Sequence, residues 1–218
     1  MIPEAIHQIM PILRDCAKDW QPGLVDDMAR VEPNPYHILI ATILSLRTKD
    51  TLTAQIAPKL FAVAATPQEI VGHSAEEIAR IIYPVGFYNT KAKSILDVSQ
   101  LLLDNYDGQV PDDLDELLKL PGVGRKTANL VVTAGFNKPG ICVDTHVHRI
   151  SNRWGYVQTK TPEQTEFALR AKLPPAYWLE YNGLLVSMGQ NICHPTSPWC
   201  SKCPLSQFCD RVGVTRSR

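Results

Sequence analysis

The sequence predicts an all-α fold, and three observations carry that prediction. Nowhere in the 218 residues does a sustained two-residue alternation of β-branched residues appear. Apolar residues recur instead at helical intervals, as at Ile6, Ile9, Met10, Leu13 and Cys16. The runs open on helix-start chemistry, at Asp50, Thr66-Pro67-Gln68-Glu69, Ser74-Ala75-Glu76-Glu77 and Thr161-Pro162-Glu163-Gln164.

About ten helices follow in order. Residues 3–20 form the first, with Pro3 near its start; residues 21–35 hold three prolines and a glycine and read as a connection. Residues 36–46 are a strongly apolar, buried helix. Asp50 caps a helix over 51–61, because its carboxylate accepts the unpaired N–H groups of the first turn. The two capping boxes open short helices, the second ending near Tyr83. Tyr83-Pro84-Val85-Gly86-Phe87-Tyr88-Asn89 is a break with aromatic residues in it, and a helix over 90–106 follows. Val110-Pro111 starts a helix that runs into a glycine hairpin at 120–124, beyond which residues 127–136 are helical again. Further helices run from Asp144 to about Trp154, from Thr161, and over 176–190 behind Pro174-Pro175. From Cys193 on, three prolines and four cysteines describe a compact loop domain. No fixed-period repeat or low-complexity tract is present.

Composition bounds the function. Hydrophobic content of 44% and charged content of 20% are those of an ordinary globular protein, outside the disordered range. The longest apolar stretch, Ile38 to Leu46, is too short to span a bilayer, and the N-terminus lacks a basic-then-apolar signal pattern. The expectation is an intracellular protein with no membrane partner. A net charge of zero argues against coating nucleic acid through bulk electrostatics but leaves room for a local basic face. The charges are segregated: Asp104, Asp107, Asp112, Asp113, Asp115 and Glu116 crowd one segment, with Arg125, Lys126, Arg149 and Arg153 beyond it.

The stretch from Leu114 to Arg149 carries the chemistry. In Leu120-Pro121-Gly122-Val123-Gly124, the glycines allow positive φ and close backbone approach. The N–H groups opening the next helix point outward and suit an anion such as a phosphate. A glycine-capped turn between two helices has the same pattern; the flanking Leu-Pro and trailing Arg125-Lys126-Thr127-Ala128 favour the grip. Most lysines are solvated surface groups. Lys126, however, falls in the first turn of a helix beside Arg125, where positive potential disfavours an ammonium, and a nucleophilic lysine needs the neutral amine. Asp144, eighteen residues on, precedes Thr145-His146-Val147-His148-Arg149. A plain N-cap explains it, and a capping carboxylate is also ionised and oriented, able to stabilise a cationic sugar.

Cys193, Cys200, Cys203 and Cys209 are spaced Cys-x6-Cys-x2-Cys-x5-Cys. Four thiolates suit a tetrahedral zinc or a [4Fe–4S] cluster. Zinc sites usually use two close pairs, and only Cys200 and Cys203 form one, so the spacing favours the cluster over zinc and leaves disulfides last. Cys16 and Cys142 read as core thiols.

LPGVGRKTAN, VDTHVHR and the four-cysteine loop, in that order, closely resemble the endonuclease III family of helix-hairpin-helix (HhH-GPD) DNA glycosylases. The likeness extends to LSLRTKD at 44–50 and GFYNTKA at 86–92. The resemblance implies two α-helical domains, a six-helix barrel over 23–133 carrying the hairpin and a second domain of 1–22 plus 134–218, with the [4Fe–4S] loop at 193–209 and DNA across the cleft between them. It implies a bifunctional DNA glycosylase/AP lyase of base excision repair, a nucleoid-associated monomer acting on double-stranded DNA with oxidised pyrimidines or abasic sites. Lys126 is then the nucleophile, Asp144 the essential carboxylate, and Gly122, Gly124 and Arg125 DNA contacts. Many family members have Gln where this chain has Arg47, the side chain thought to fill the hole left by a flipped base. Arginine can instead hydrogen-bond an opposing guanine or pair with a phosphate or a nearby acid. Phe87 matches a second wedge position, though an aromatic residue after glycine also reads as core. His146 and His148 read as phosphate contacts or satisfied helix residues. Two other readings stand beside this one: a monofunctional mismatch or uracil glycosylase of the same fold, and a non-catalytic Fe–S DNA-binding module.

Overall fold

The computed structural model describes residues 3–20, 28 and 34–218, and every regular element among them is helical. A 3-10 turn, Pro3–Ala5, leads into α1, Ile6–Ala17, shorter at both ends than its sequence pattern. The proposed connection over 21–35 lies outside the described residues except at Met28, Asn34 and Pro35. The next helix, α2, is Pro35–Ser45: the Asn34 side chain accepts from the N–H groups of Tyr36 at 3.0 Å and His37 at 3.1 Å, and Pro35 supplies a preset φ at the first position. Its eight residues from Ile38 to Ser45 are apolar or small, and those from Ile38 to Leu44 are all buried.

The helix α3 is Asp50–Val63, and here the expected cap is wrong. Lys49, not Asp50, takes the extended cap conformation, with no side-chain cap bond, and Asp50 is the first helical residue. The helices α4, Pro67–Val71, and α5, Ala75–Ile82, open on reciprocal boxes. Glu69 and Glu77 reach back to the N–H groups of Thr66 and Ser74 at 3.1 and 2.8 Å, while the cap hydroxyls take the third helical N–H. The long helix α6, Tyr88–Tyr106, begins two residues earlier than expected. Val110-Pro111 does not start a helix. Between α6 and the hairpin the one helical turn is α7, Leu114–Leu117, because the Asp113 carboxylate captures the N–H groups of Asp115 and Glu116 and sets the start there.

Beyond the hairpin, α8, Arg125–Leu130, widens into a π-turn, Val131–Gly135. Then come α9, Thr145–Arg153; α10, Pro162–Lys172; a 3-10 turn, Pro175–Tyr177; and α11, Trp178–Asn191. The cysteine segment is two 3-10 turns, Cys200–Lys202 and Ser206–Phe208, joined by irregular chain.

The chain divides into two compact units, residues 24–138 and residues 1–23 with 139–218. The first holds α2 to α8 around a core that includes Ile38, Leu39, Leu60, Ile78, Ile95, Leu117 and Val131. The second has its own core, built from α1, α9, α10 and α11 and including Met10, Ile150, Trp154, Tyr181 and Leu185. Among the described residues no helix is long and apolar enough to cross a membrane.

Candidate functional site

The hairpin sits between α7 and α8. Leu120 and Val123 are buried, and the Val123 N–H closes the turn on the Leu120 carbonyl at 3.1 Å. The two glycines differ. Gly122 has φ +75°, the left-handed region that a side chain strains. Gly124 is extended at φ −95°, so the positive φ expected of it is absent; as the N-cap of α8 it brings no side chain to the first-turn N–H groups. A Cβ at Gly124 would meet nothing within 4 Å, so this backbone faces open space. Arg125 and Lys126 are the first two residues of α8 and are half-buried. Asn129 holds the same turn by donating to the Arg125 carbonyl at 3.0 Å. The result is a bare helix start with two cations in its first turn, a setting for an anion and for an amine held close to it.

Arg47 and Phe87 come together in the same unit. Both are exposed and both have left-handed backbones, φ 56° and 60°. The guanidinium lies over the Phe87 ring at 4.3 Å from its centroid. Phe87 is therefore surface, at 56% exposure, and not core. Exposed Tyr83, edge-on to Tyr88 at 5.3 Å, lies in the same break; the sequence marked the aromatic cluster without singling it out.

In the other unit, Asp144 caps α9: Oδ1 accepts from the N–H groups of His146 and Val147, both at 2.8 Å. Oδ2 has no hydrogen-bond partner among the described residues, so one oxygen fixes the orientation of the other. His146 shares a 3.1 Å contact with Arg149 and packs against Gly189, where any side chain would collide with its ring. His148 is turned to α10, its Nδ1 at 2.7 Å from the Thr165 hydroxyl; partial burial lowers its pKa, and this packing is that of a satisfied helix residue.

The same helix anchors the cysteine loop. Arg149 donates to the Cys193 carbonyl at 3.2 and 2.8 Å. Arg153 donates to the Cys193 Sγ at 3.3 Å and to the carbonyls of His194 and Pro195 at 2.7 Å each. The sequence offered these arginines only as charges; the folded-back loop that they bind is not visible in the order of residues. All four cysteines, Cys193, Cys200, Cys203 and Cys209, line one pocket, closed by Trp154, Met188, Ile192 and Trp199. None is in a disulfide. Burial pushes the Cys203 thiol up to about 11 and raises Cys209, while backbone N–H groups of Leu205 and Arg211 bond to these sulfurs and oppose the shift. Among the described residues no group of three or more His, Cys, Asp or Glu meets the geometry of a single-ion site.

Comparison with known proteins follows these features. Residues 40–175 match the family model of the HhH-GPD superfamily base excision DNA repair proteins. The chain is 50% identical over 179 residues to Endonuclease III of Thermotoga maritima, covering 82% of this chain and 84% of that protein. A solved non-covalent Endonuclease III–DNA complex superposes with a TM-score of 0.87 at 34% identity, covering 97% of this chain and 96% of that one. A trapped Endonuclease III–DNA covalent intermediate superposes with the same TM-score of 0.87, covering 97% of both chains.

Proposed function

The chain belongs to the endonuclease III branch of the HhH-GPD superfamily, and from that premise we infer that it is a bifunctional DNA glycosylase/AP lyase acting on double-stranded DNA. The observation that carries the reading is Lys126 in the uncapped first turn of α8, directly behind the glycine hairpin. A bare helix start holds a phosphate, and an amine next to it is within reach of the sugar that the phosphate carries.

The expected substrates are oxidised pyrimidines and abasic sites. A damaged base stacks and pairs poorly, so flipping it out costs less. As the bond from C1′ to the base breaks, the base leaves with the bonding electrons and positive charge builds on the sugar, where the ionised Asp144 stabilises it. The amine of Lys126 bonds to C1′ through its nitrogen lone pair and loses a proton; the sugar ring opens to a Schiff base. Loss of a C2′ proton then expels the 3′ phosphate, and water returns the amine. Residues 24–138 would supply the six-helix barrel, and residues 1–23 with 139–218 the cluster-bearing domain. The enzyme would work as an intracellular monomer on nucleoid DNA.

Endonuclease III proteins generally carry an iron–sulfur cluster, and the residues here fit one: four free thiols line one pocket, with N–H donors to Cys203 and Cys209 and an arginine on Cys193. Cys193, Cys200, Cys203 and Cys209 would be the ligands of a [4Fe–4S] cluster, which when bound cross-links the loop and can exchange an electron.

Borohydride reduction on abasic or damaged duplex tests the assignment. Wild type is expected to form a covalent adduct and Lys126→Ala none. An adduct that survives the substitution removes Lys126 from the nucleophile's role. Base release with no strand cut would make the enzyme monofunctional.

A further inference from the structure

The segment behind Cys209 folds back over the pocket that the four cysteines line. It leaves along α9: the N–H groups of Asp210 and Val212 close on the carbonyls of Trp154 at 3.4 Å and Arg153 at 3.0 Å. Arg211 then takes φ 56° and Gly213 φ 71°, both left-handed, and the Val214 N–H closes that turn on the Arg211 carbonyl at 3.0 Å. Arg211 and Val214 line the cysteine pocket itself. The chain is tied down again at Arg218. Its N–H donates to the Pro198 carbonyl at 2.8 Å, its main-chain oxygen accepts from the Ser201 N–H at 3.0 Å, and its Nε donates to the Ser197 carbonyl at 3.0 Å. Its guanidinium lies over the Trp199 ring at 4.0 Å from the centroid, and the Lys202 ammonium lies 4.8 Å from the same centroid. Arg153 and Trp154 form one wall of the pocket, and Pro198, Trp199 and Cys200 another. Residues 210–218 therefore run from wall to wall.

We propose that residues 210–218 are a hinged strap over the cysteine pocket, pivoting at 211–213 and latched by Arg218, whose opening sets how fast water and competing ligands reach the metal held there. The proposal rests on the iron–sulfur reading above. The two ends are held differently. The near end is bonded to main chain beside Trp154, which is in the core, whereas Arg218 is exposed and held at the surface. Exposed hydrogen bonds with little buried apolar contact open locally far more often than the fold unfolds. The pivot has room to move, since a Cβ at Gly213 would meet nothing within 4 Å. The apolar shell around a metal site controls solvent access to it. Here the strap supplies Val214 to that shell, and its latch stacks on Trp199, another member. Iron leaves when water or another ligand replaces a thiolate, so the opening that admits those molecules governs its loss.

The test uses the holoenzyme under argon with ascorbate and a bulky ferrous chelator, bathophenanthroline disulfonate, and follows iron release by the colour of the chelate. Where the strap opens and closes faster than iron is lost, the rate follows the open population. Arg218→Ala removes the ring contact and the Nε bond and is expected to speed release about fivefold. A chain ending at Val214 also loses the two main-chain bonds and is expected to release iron about twentyfold faster than wild type. Arg216→Ala removes the same charge from the same segment without touching the latch, and its release rate is expected to stay within about twofold of wild type. Single-turnover cutting of a saturating abasic duplex is expected to change by less than about twofold in every variant, because Lys126 lies in the other compact unit. If the shortened chain does not fold, Arg218→Ala decides. A wild-type release rate in Arg218→Ala or in the folded shortened chain overturns the proposal and leaves the iron–sulfur reading standing. So does an Arg216→Ala that accelerates release as much as Arg218→Ala, since the effect is then one of charge. A purified wild type that is colourless and free of iron overturns the iron–sulfur reading and the strap with it.

Discussion

Asp144 places both capping bonds on Oδ1, so its structural and chemical roles can be separated by one substitution. Asparagine caps a helix about as well as aspartate, and Asp144→Asn is expected to change stability by no more than about 0.5 kcal/mol. It removes the negative charge, and base release is expected to fall by about a hundredfold or more, the scale seen when a group that stabilises transition-state charge is lost. Thermal melting and single-turnover base release on the same samples check both halves. Lys91 gives a second prediction at this scale. Burial pulls it from 10.5 down to about 8. The unfolded chain then holds that proton more tightly than the folded one, so stability contributed at Lys91 is full above 10.5 and lost as pH falls through about 8. Relative to Lys91→Met, wild type is expected to gain stability as pH rises through this window, by at most ~3 kcal/mol. Urea unfolding of the two proteins across that window shows it; parallel curves would mean that Lys91 is not desolvated.

Among the helices, the legible ones announced themselves through local chemistry. The boxes at Thr66 and Ser74 were read correctly because donor and acceptor lie three residues apart. Ser74→Ala is expected to cost about 1 kcal/mol, measured by urea midpoint. Val110-Pro111 misled because proline at a helix start is a permissive signal and not a sufficient one, and Asp113 captured the start instead. Asn34-Pro35 carries a cap and a first-turn proline that start the helix one residue before the apolar run at Tyr36. The π-turn Val131–Gly135 had no sequence signal; there the Thr133 hydroxyl bonds to the Asn129 and Leu130 carbonyls, inside packing that local pattern does not encode. In α9, Arg153 makes one sulfur and two carbonyl contacts to the cysteine segment. If the proposed cluster is bound, Arg153→Ala is expected to leave Lys126 chemistry intact while the cluster's visible absorbance is lost faster under air. An unchanged rate of bleaching would exclude Arg153 from supporting the cluster loop.

On the scale of the whole molecule, each compact unit buries a tyrosine whose hydroxyl resists ionisation. Burial pushes Tyr36 in one and Tyr156 in the other up to about 12 from an ordinary 10. Raised acids favour folding below the unfolded value and lose that contribution as pH climbs through the folded one. Both units are expected to lose stability between 10 and 12, with the part of the tyrosinate absorbance that Tyr36→Phe and Tyr156→Phe remove appearing together with loss of helical signal. That part forming well before helix loss would show that these hydroxyls are open to solvent in the native state.

The helical class, most helix starts, the hairpin and the order of the chemical motifs were determined by the sequence itself. Caps, glycine turns and apolar periodicity act between residues a few positions apart, so their order in the chain is their physics. Tertiary structure alone decided that Phe87 is surface, that Arg47 stacks on it, and that α9 holds the cysteine loop. Lys91 reaches acceptors 43 to 47 positions away, and Arg153 a sulfur 40 positions away. Such bonds form only once packed cores have brought distant segments together and shut out the water that would otherwise satisfy each group.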